Sequence, residues 1–229
     1  MTGFDVDVIE RSLSYVLLTG LRFTLLLTVL AASGGLVLGT LIALLRLSGN
    51  RVLALIATGY VNLVRSLPLV LVIFWFFFLV PYLAQWLTGA RRPVQVGAFS
   101  SALITFIVFE AAYFSEIVRA GIASIARGQT MAGLAIGLRA WQVTWHVVLP
   151  QVFRIMAPVM LTQTIILFQD TSLVYVIGLV DMLGAASQVA QRDGRLVEMY
   201  LFVAVVYFVL SFTASRGVAW LQAAVAVPR

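Results

Sequence analysis

A few acidic and polar residues lie inside long apolar stretches of the chain, where ionisable side chains are rare. Asp170 is followed by Thr171 and Ser172 in "FQDTSL", and Glu110 lies in the middle of "IVFEAAYF". Such residues commonly line a substrate pathway or form a buried pair, because a lone charge is costly inside a membrane. We therefore treat these four residues as candidates for a substrate pathway. A purely structural role is the alternative for each acid.

The Asp-Thr-Ser sequence makes a second prediction, because these residue types favour helix N-caps. It predicts that the helix breaks at Asp170 and turns backbone N–H groups inward. Broken helices with inward N-termini suit a carboxylate-bearing substrate, whose ammonium group Asp170 would hold.

Arg65 stands just before Pro68 in another apolar stretch, and two roles are open for it. It is either a ligand for a carboxylate or a residue at the cytoplasmic mouth of a span. Residues 67 to 87 suffice to cross a bilayer core of about 30 Å, which favours the second role. Farther along, Glu116 and Arg119 are three residues apart, and this spacing predicts an ion pair on one helix face.

The residue types that are missing exclude several functions. The 15 basic residues are all arginines, so the chain has neither the lysine of a phosphate-binding P-loop nor one for a Schiff base. Cysteine is absent and His146 is the single histidine, which excludes disulfides and two-histidine metal sites. We expect no catalytic residue, no metal site and no cofactor on this chain. Any work it performs must draw on energy supplied elsewhere.

The elements that position these residues are membrane helices. Of the 229 residues, 62% are hydrophobic and 10% are charged, and the mean hydropathy is +1.06, as is typical of an integral membrane protein. No strand-like alternation recurs, so the fold class is all-α and polytopic. We predict one transmembrane domain over 1–229 with five helices, at roughly 14–45, 52–80, 95–124, 153–179 and 198–221. The acidic N-terminus is unlike a signal peptide, so we expect the first span to be retained.

The arginines predict the orientation, since cytoplasmic loops are enriched in them. With the N-terminus in the periplasm and the C-terminus in the cytoplasm, eight flanking arginines face the cytoplasm, namely Arg46, Arg51, Arg119, Arg127, Arg139, Arg154, Arg216 and Arg229. Five face the periplasm, namely Arg11, Arg91, Arg92, Arg192 and Arg195. The formal charge of +6 fits loops that face anionic lipid or an acidic partner, and it does not indicate nucleic acid.

The segment "RGQTMAGLAIGLRAWQVTWHVVLPQ" then falls in the cytoplasm, between the third and fourth spans. We predict two short helices joined by a sharp bend at Gly137, where the absence of a Cβ permits positive φ. Trp141 and Trp145 are four residues apart and share one face, and Pro150 is expected to open the fourth span. An ordinary amphipathic helix at the membrane surface is the alternative.

This segment resembles the EAA loop of ABC importer permeases, which reads Glu-Ala-Ala, three residues, Gly, nine residues, an apolar pair and Leu-Pro. Met131, Ala132 and Gly133 stand at the Glu-Ala-Ala positions, and the later glycine and Leu-Pro match in register. The flanks "VNLVRSLPLVLVIFW", "FEAAYFSEI", "LFQDTSLVY" and "QRDGRLVEM" are similar to the polar amino-acid uptake branch, most of all to glutamate/aspartate importer permeases. The resemblance covers nearly the whole chain.

The resemblance implies a type I ABC importer permease fold in the bacterial inner membrane, with a cytoplasmic coupling helix in the 125–150 loop. That loop would dock on a cytoplasmic ATPase dimer carrying ATP and Mg, through residues that include Gln129, Met131, Ala132, Gly133, Gly137, Trp141, Leu149 and Pro150. The implied partners are membrane lipid, a periplasmic amino-acid-binding protein, and a second permease that is either similar or a copy. Glutamate, aspartate and glutamine stay open as substrates.

An ion-gradient-driven secondary transporter is the competing function. Five spans without a visible inverted repeat argue against it. A membrane scaffold or an enzyme is a third possibility, but no nucleophile–base pair or metal cluster supports an enzyme.

Overall fold

The structure is a computed structural model, and it describes residues 3–93 and 96–225. Every regular element in these two ranges is helical. The helices are α1 (Asp7–Arg46), α2 (Arg51–Arg65), α3 (Leu69–Thr88), α4 (Ala98–Ala123), α5 (Arg127–Ala135), α6 (Ala140–Ile177), α7 (Met182–Asp193) and α8 (Leu196–Val225). Five of them, α1, α3, α4, α6 and α8, are long and apolar enough to cross a membrane. The predicted all-α fold with five membrane helices is confirmed.

The first helix begins at Asp7, earlier than the predicted start near residue 14. Its polar first turns pack on the protein, because Arg11 forms an ion pair with Asp193 in which Nη2 and Oδ2 are 3.1 Å apart. The hydrogen bond from Arg192 also holds the pKa of Asp193 below its usual range. These contacts fasten the start of α1 to the turn between α7 and α8.

The second predicted span, 52–80, is wrong as a single helix. Asn50 caps α2 by accepting hydrogen bonds from the backbone N–H groups of Val52 and Leu53. The chain then leaves the helix, with Pro68 extended at ψ 127°, since the ring of a proline disfavours helical geometry in the preceding residue. The spanning helix is α3, which runs from 69 to 88 and contains a π-helical segment at Trp75–Leu79.

The fourth predicted span, 153–179 with Pro150 at its start, is also corrected. Helix α6 is continuous from Ala140 to Ile177, so Pro150 lies inside it. A π-helical segment, Thr144–Val148, comes directly before the proline. Because proline has no N–H to donate, a wider turn at this point accommodates it without ending the helix. The helix after Gly137 is therefore one piece with the fourth span.

Two positions used in the sequence predictions fall outside the described residues. Position 95, where the third span was placed to begin, and Arg229 of the C-terminus are both outside the ranges 3–93 and 96–225. Helix α4 begins at Ala98 and ends at Ala123, and α8 runs from Leu196 to Val225.

Helices α1 and α4 pack closely along their length. At Gly39 of α1, an added Cβ would lie 2.7 Å from the carbonyl oxygen of Ala111, so only glycine allows this approach. The largest group of buried apolar side chains joins α1, α4 and α6 through residues such as Leu27, Phe106 and Leu167. This packing places Glu110 of α4 inside the bundle and partly buries Asp170 of α6.

A second, smaller group of buried side chains lies where α4 ends and α6 begins. It consists of Ala43, Val118, Val152 and Met156. The end of α1 thus supports both helices that flank the loop between α4 and α6. This group of side chains therefore joins three of the membrane helices beside the loop.

Candidate functional site: the loop between α4 and α6 and a polar cluster inside the helix bundle

The loop of residues 125–150 contains α5, a tight turn, and the first turns of α6. Gly137 has φ +86°, and the predicted bend at this residue is confirmed. The N–H of Gly137 donates to the carbonyl of Leu134 at 3.0 Å, and that of Leu138 to Gly133 at 3.2 Å. These two bonds form a Schellman motif, which ends α5 and reverses the chain direction.

The two limbs of the bend touch at Gly133 and Val143. Both residues are buried, and a Cβ on Gly133 would lie 2.8 Å from Cγ2 of Val143. The third position of the Glu-Ala-Ala pattern therefore needs a residue without a side chain, since anything larger would push the limbs apart. This contact fixes the angle between α5 and α6.

Most side chains of the loop point away from the protein. Met131, Ile136, Trp141 and Trp145 are between 56% and 78% exposed. Exposed apolar side chains concentrated on one protruding segment are typical of an interaction site. Of the other predicted loop residues, Gln129, Ala132 and Pro150 are exposed and Leu149 is half-buried.

The predicted pair of Glu116 and Arg119 is confirmed, and it has a third member. Both Arg119 and Arg46 donate to the Glu116 carboxylate, the latter with Nη1 2.7 Å from Oε2. The Arg46 side chain is only 8% exposed, so this bond is largely shielded from water. The network joins the end of α1 to the last turns of α4, just before the loop begins.

Inside the bundle, Glu110 of α4 contacts α6 through Gln163. The amide nitrogen of Gln163 lies 3.3 and 3.1 Å from the two carboxylate oxygens, and Glu110 is 1% exposed. Tyr60 of α2 donates to the carbonyl of Val108, one half-turn away from the acid along α4. Neither Gln163 nor Tyr60 was predicted. Glu110 is therefore surrounded by protein and hydrogen-bonded across two spans.

The predicted helix break at Asp170 is wrong. Asp170 has helical angles, φ −66° and ψ −25°, and α6 continues as a 3₁₀ helix over Thr171–Ile177. The Thr171 hydroxyl donates to the carbonyl of Phe168 at 2.7 Å, so it supports the helix instead of capping a new one. The helix ends at Gly178, which has φ +80°. Asp170 and Ser172 are half-buried.

Arg65 lies at the end of α2, immediately before the break at Pro68. Its guanidinium carbon is 5.3 Å from the centre of the Tyr113 ring on α4, at cation–π distance. Within residues 3–93 and 96–225, Arg65 forms no ion pair with Glu110 or Asp170. The structure thus places the three charged candidates in one bundle, where Glu110 and Arg65 have different contact partners.

Comparison with known proteins identifies a family. Residues 35–227 match the model for "Binding-protein-dependent transport system inner membrane component". The chain is 49% identical over 222 residues to the glutamate/aspartate import permease protein GltK of Escherichia coli O157:H7, covering 97% of this chain and 98% of that protein. It is 31% identical over 200 residues to the glutamine transport system permease protein GlnP of Escherichia coli (strain K12), covering 87% and 88%.

A solved structure shares the fold. A chain in the crystal structure of an amino acid ABC transporter with histidines superposes with a TM-score of 0.85 at 26% identity. The match covers 97% of this chain and 99% of the other.

Proposed function

The chain belongs to the binding-protein-dependent transport system inner membrane components, and from this premise we propose that it imports glutamate and aspartate. The observation that carries the proposal is the 49% identity, over nearly the full length of both chains, to a glutamate/aspartate import permease protein. The chain is an ABC importer permease, a non-catalytic multi-pass subunit of the inner membrane. The hydrolysis of ATP, with its Mg, takes place on a separate ATPase subunit.

In this proposal the N-terminus lies in the periplasm and the C-terminus in the cytoplasm. The support is the excess of arginines at one end of the spans. Arg46, Arg51 and Arg119 gather at the end where the 125–150 loop protrudes, and Arg11 and Arg192 lie at the other. The loop is then cytoplasmic and accessible to an ATPase dimer.

The 125–150 loop is the coupling element. Three features support this role: the rigid bend at Gly137, the contact of Gly133 with Val143, and the continuity of α6 into the membrane. Docking of a short helix in a groove on a partner is a recurring recognition mode. A push on α5 passes through the bend into α6, and from there to the bundle around Glu110.

The substrate path runs beside the ionisable side chains of the spans. Asp170, with Thr171 and Ser172, holds the substrate ammonium, and Arg65 lies at the cytoplasmic mouth. Glu110 stays in place through its bond to Gln163 and keeps a polar group beside the path. The support is that burying ionisable groups in a membrane segment costs free energy, so such groups are rare there unless they have a function.

Two further partners complete the importer. Five spans are few to enclose a pathway, so a second permease, either a copy or a similar subunit, pairs with this chain around a two-fold or pseudo-two-fold axis. A periplasmic binding protein delivers the amino acid and does much of the selection. Membrane lipid covers the remaining apolar faces.

Reconstitution with a panel of substrates tests the substrate assignment. Proteoliposomes containing the permease, its ATPase and its binding protein are supplied with labelled glutamate, aspartate, glutamine or cystine. We expect ATP-dependent uptake of glutamate and aspartate, with unlabelled aspartate competing against glutamate. Uptake restricted to glutamine or cystine would show that the assignment to acidic amino acids is wrong.

A further inference from the structure

The chain has no acidic residue between Glu116 and Asp170. Over the same stretch it has four arginines, and Glu116 neutralises the first of them, Arg119. The other three, Arg127, Arg139 and Arg154, are exposed and form no ion pair within the part of the chain that the structure describes. The 125–150 loop thus carries uncompensated positive charge.

Two of these arginines occupy positions that are electrostatically poor for their own helices. Arg127 is the first residue of α5, and Arg139 directly precedes the first residue of α6. Helix N-termini are the positive ends of the helix dipoles, and they favour acidic side chains. At Arg139 the Gln142 amide oxygen accepts the backbone N–H at 2.8 Å, so a neutral side chain performs the capping. The local fold therefore gives no reason for either arginine.

Apolar side chains accompany the two arginines. Met131 lies one helical turn after Arg127 on the same face of α5, and Ile136 lies next to the bend before Arg139. Met131 is 66% exposed and Ile136 is 78% exposed. Helix α5 packs mainly against residues 140–148 of α6, which leaves this mixed face uncovered. We call these four residues the basic tip.

We propose that the basic tip docks into an apolar groove of the ATPase that is bordered by carboxylates, placed to pair with Arg127 and Arg139. This rests on the proposed function, in which the 125–150 loop contacts the ATPase. Charge complementarity selects such a partner, because opposite charges across an interface speed association and suppress wrong pairings. Since Met131 adds no charge, the charged groups that this chain brings to the contact are all cations.

A charge reversal at both positions tests the proposal in the assembled complex. Arg127→Glu with Arg139→Glu is compared with the wild-type permease for binding to its ATPase in detergent solution, at low and high salt. We expect about a tenfold or greater loss of affinity, since like charges would now face each other. The wild-type affinity falls with added salt, and this salt dependence becomes weaker or reverses in the variant.

Arg51→Glu is the matched control. Arg51 is exposed, is the first residue of α2, and lies at the same end of the bundle but outside the loop. It should leave the affinity unchanged. Glutamate suits a helix N-terminus, so weaker binding by the double variant does not reflect a melted α5. Replacing the groove carboxylates of the ATPase by lysine should restore binding to the double variant and weaken binding to the wild type.

The possible outcomes distinguish a failure of the basic tip from a failure of the proposed function. Equal affinity of wild type and double variant, or no effect of salt, would overturn the basic tip as a charge-recognising surface. A variant that binds the ATPase normally but loses affinity for vesicles containing phosphatidylglycerol would assign the tip to lipid, and it would also overturn the proposal. Failure of the wild-type permease to bind any ATPase would contradict the proposed function itself.

Discussion

Substitution of Gly137 tests the bend itself, because the added side chain changes the backbone conformation without a steric clash of its Cβ. A Cβ added at this residue meets no atom within 4 Å, so the Cβ itself causes no steric overlap. The cost is conformational, because φ is +86°. For alanine this is about 1–2 kcal/mol, and for a β-branched residue such as valine it reaches about 3 kcal/mol. Relief of the strain requires opening the cap, which loses two hydrogen bonds of about 1 kcal/mol each.

The strain in Gly137→Val is therefore as large as the free energy that holds the bend. We expect the equilibrium ratio of the bent to the open form to fall by a factor of about a hundred, at a factor of ten per 1.4 kcal/mol. The permease still inserts, but its affinity for the ATPase, the hydrolysis stimulated by binding protein, and the uptake all fall. The affinity, the hydrolysis and the uptake should fall less in Gly137→Ala. They should fall least in Gly137→Asn, because asparagine tolerates positive φ.

Gly128→Ala is the control on the same loop. Gly128 lies inside α5, and an added Cβ there also meets no atom within 4 Å. Alanine should stabilise α5 by roughly 0.5–1 kcal/mol and leave transport intact. If Gly137→Val binds the ATPase and transports as well as Gly128→Ala does, the bend does not couple the two subunits, and the reasoning is refuted.

Three further predictions address the path and the orientation. Asp170→Asn should reduce uptake about ten- to a hundredfold and leave assembly with the ATPase intact, because it loses a charge-assisted bond of about 1.5–3 kcal/mol. Loss of assembly instead would show that Asp170 has a structural role. Glu110→Gln should preserve thermal stability and assembly, whereas Glu110→Leu leaves the buried amide of Gln163 unpaired at a cost of about 1–3 kcal/mol; equal melting temperatures would contradict this. A cysteine at Thr144 should react with a membrane-impermeant reagent only from the cytoplasm, and one at Arg192 only from the periplasm; the reverse pattern would invert the topology.

The features that sequence predicts well here are local. The bend follows from one glycine at a helix end, where positive φ is needed. The ion pair of Glu116 with Arg119 follows from a spacing of three residues on one helix. In both cases the residues that interact are neighbours in the chain, so their types and spacing contain the necessary information.

The features that sequence missed connect distant residues. Arg46 reaches Glu116 across 70 positions, and Gln163 reaches Glu110 across 53. Nothing in the surrounding residues marks either partner, since polar side chains of this kind also occur at helix ends and on exposed faces. These contacts depend on how the spans pack, which hydropathy does not specify.

Three predictions were wrong because tertiary structure and proline chemistry outweighed a local tendency. At Asp170 the capping preference of Asp-Thr-Ser was overridden, and Thr171 bonds back to Phe168 within a continuing helix. The prediction of one span over 52–80 rested on the hydropathy of the whole segment. Hydropathy does not show that the helix is interrupted at Pro68. Conversely, Pro150 was expected to begin a helix, but a π-helical segment accommodates it inside α6.

We propose that this permease imports amino acids with energy from a partner ATPase. The most direct test is uptake of labelled glutamate into proteoliposomes that enclose ATP, with the ATPase inside, the binding protein outside, and ionophores present to collapse all ion gradients. We expect that uptake continues, requires both enclosed ATP and the binding protein, and stops with a non-hydrolysable ATP analogue. Uptake that needs no ATP and disappears with the ionophores would contradict the account and identify an ion-gradient-driven transporter.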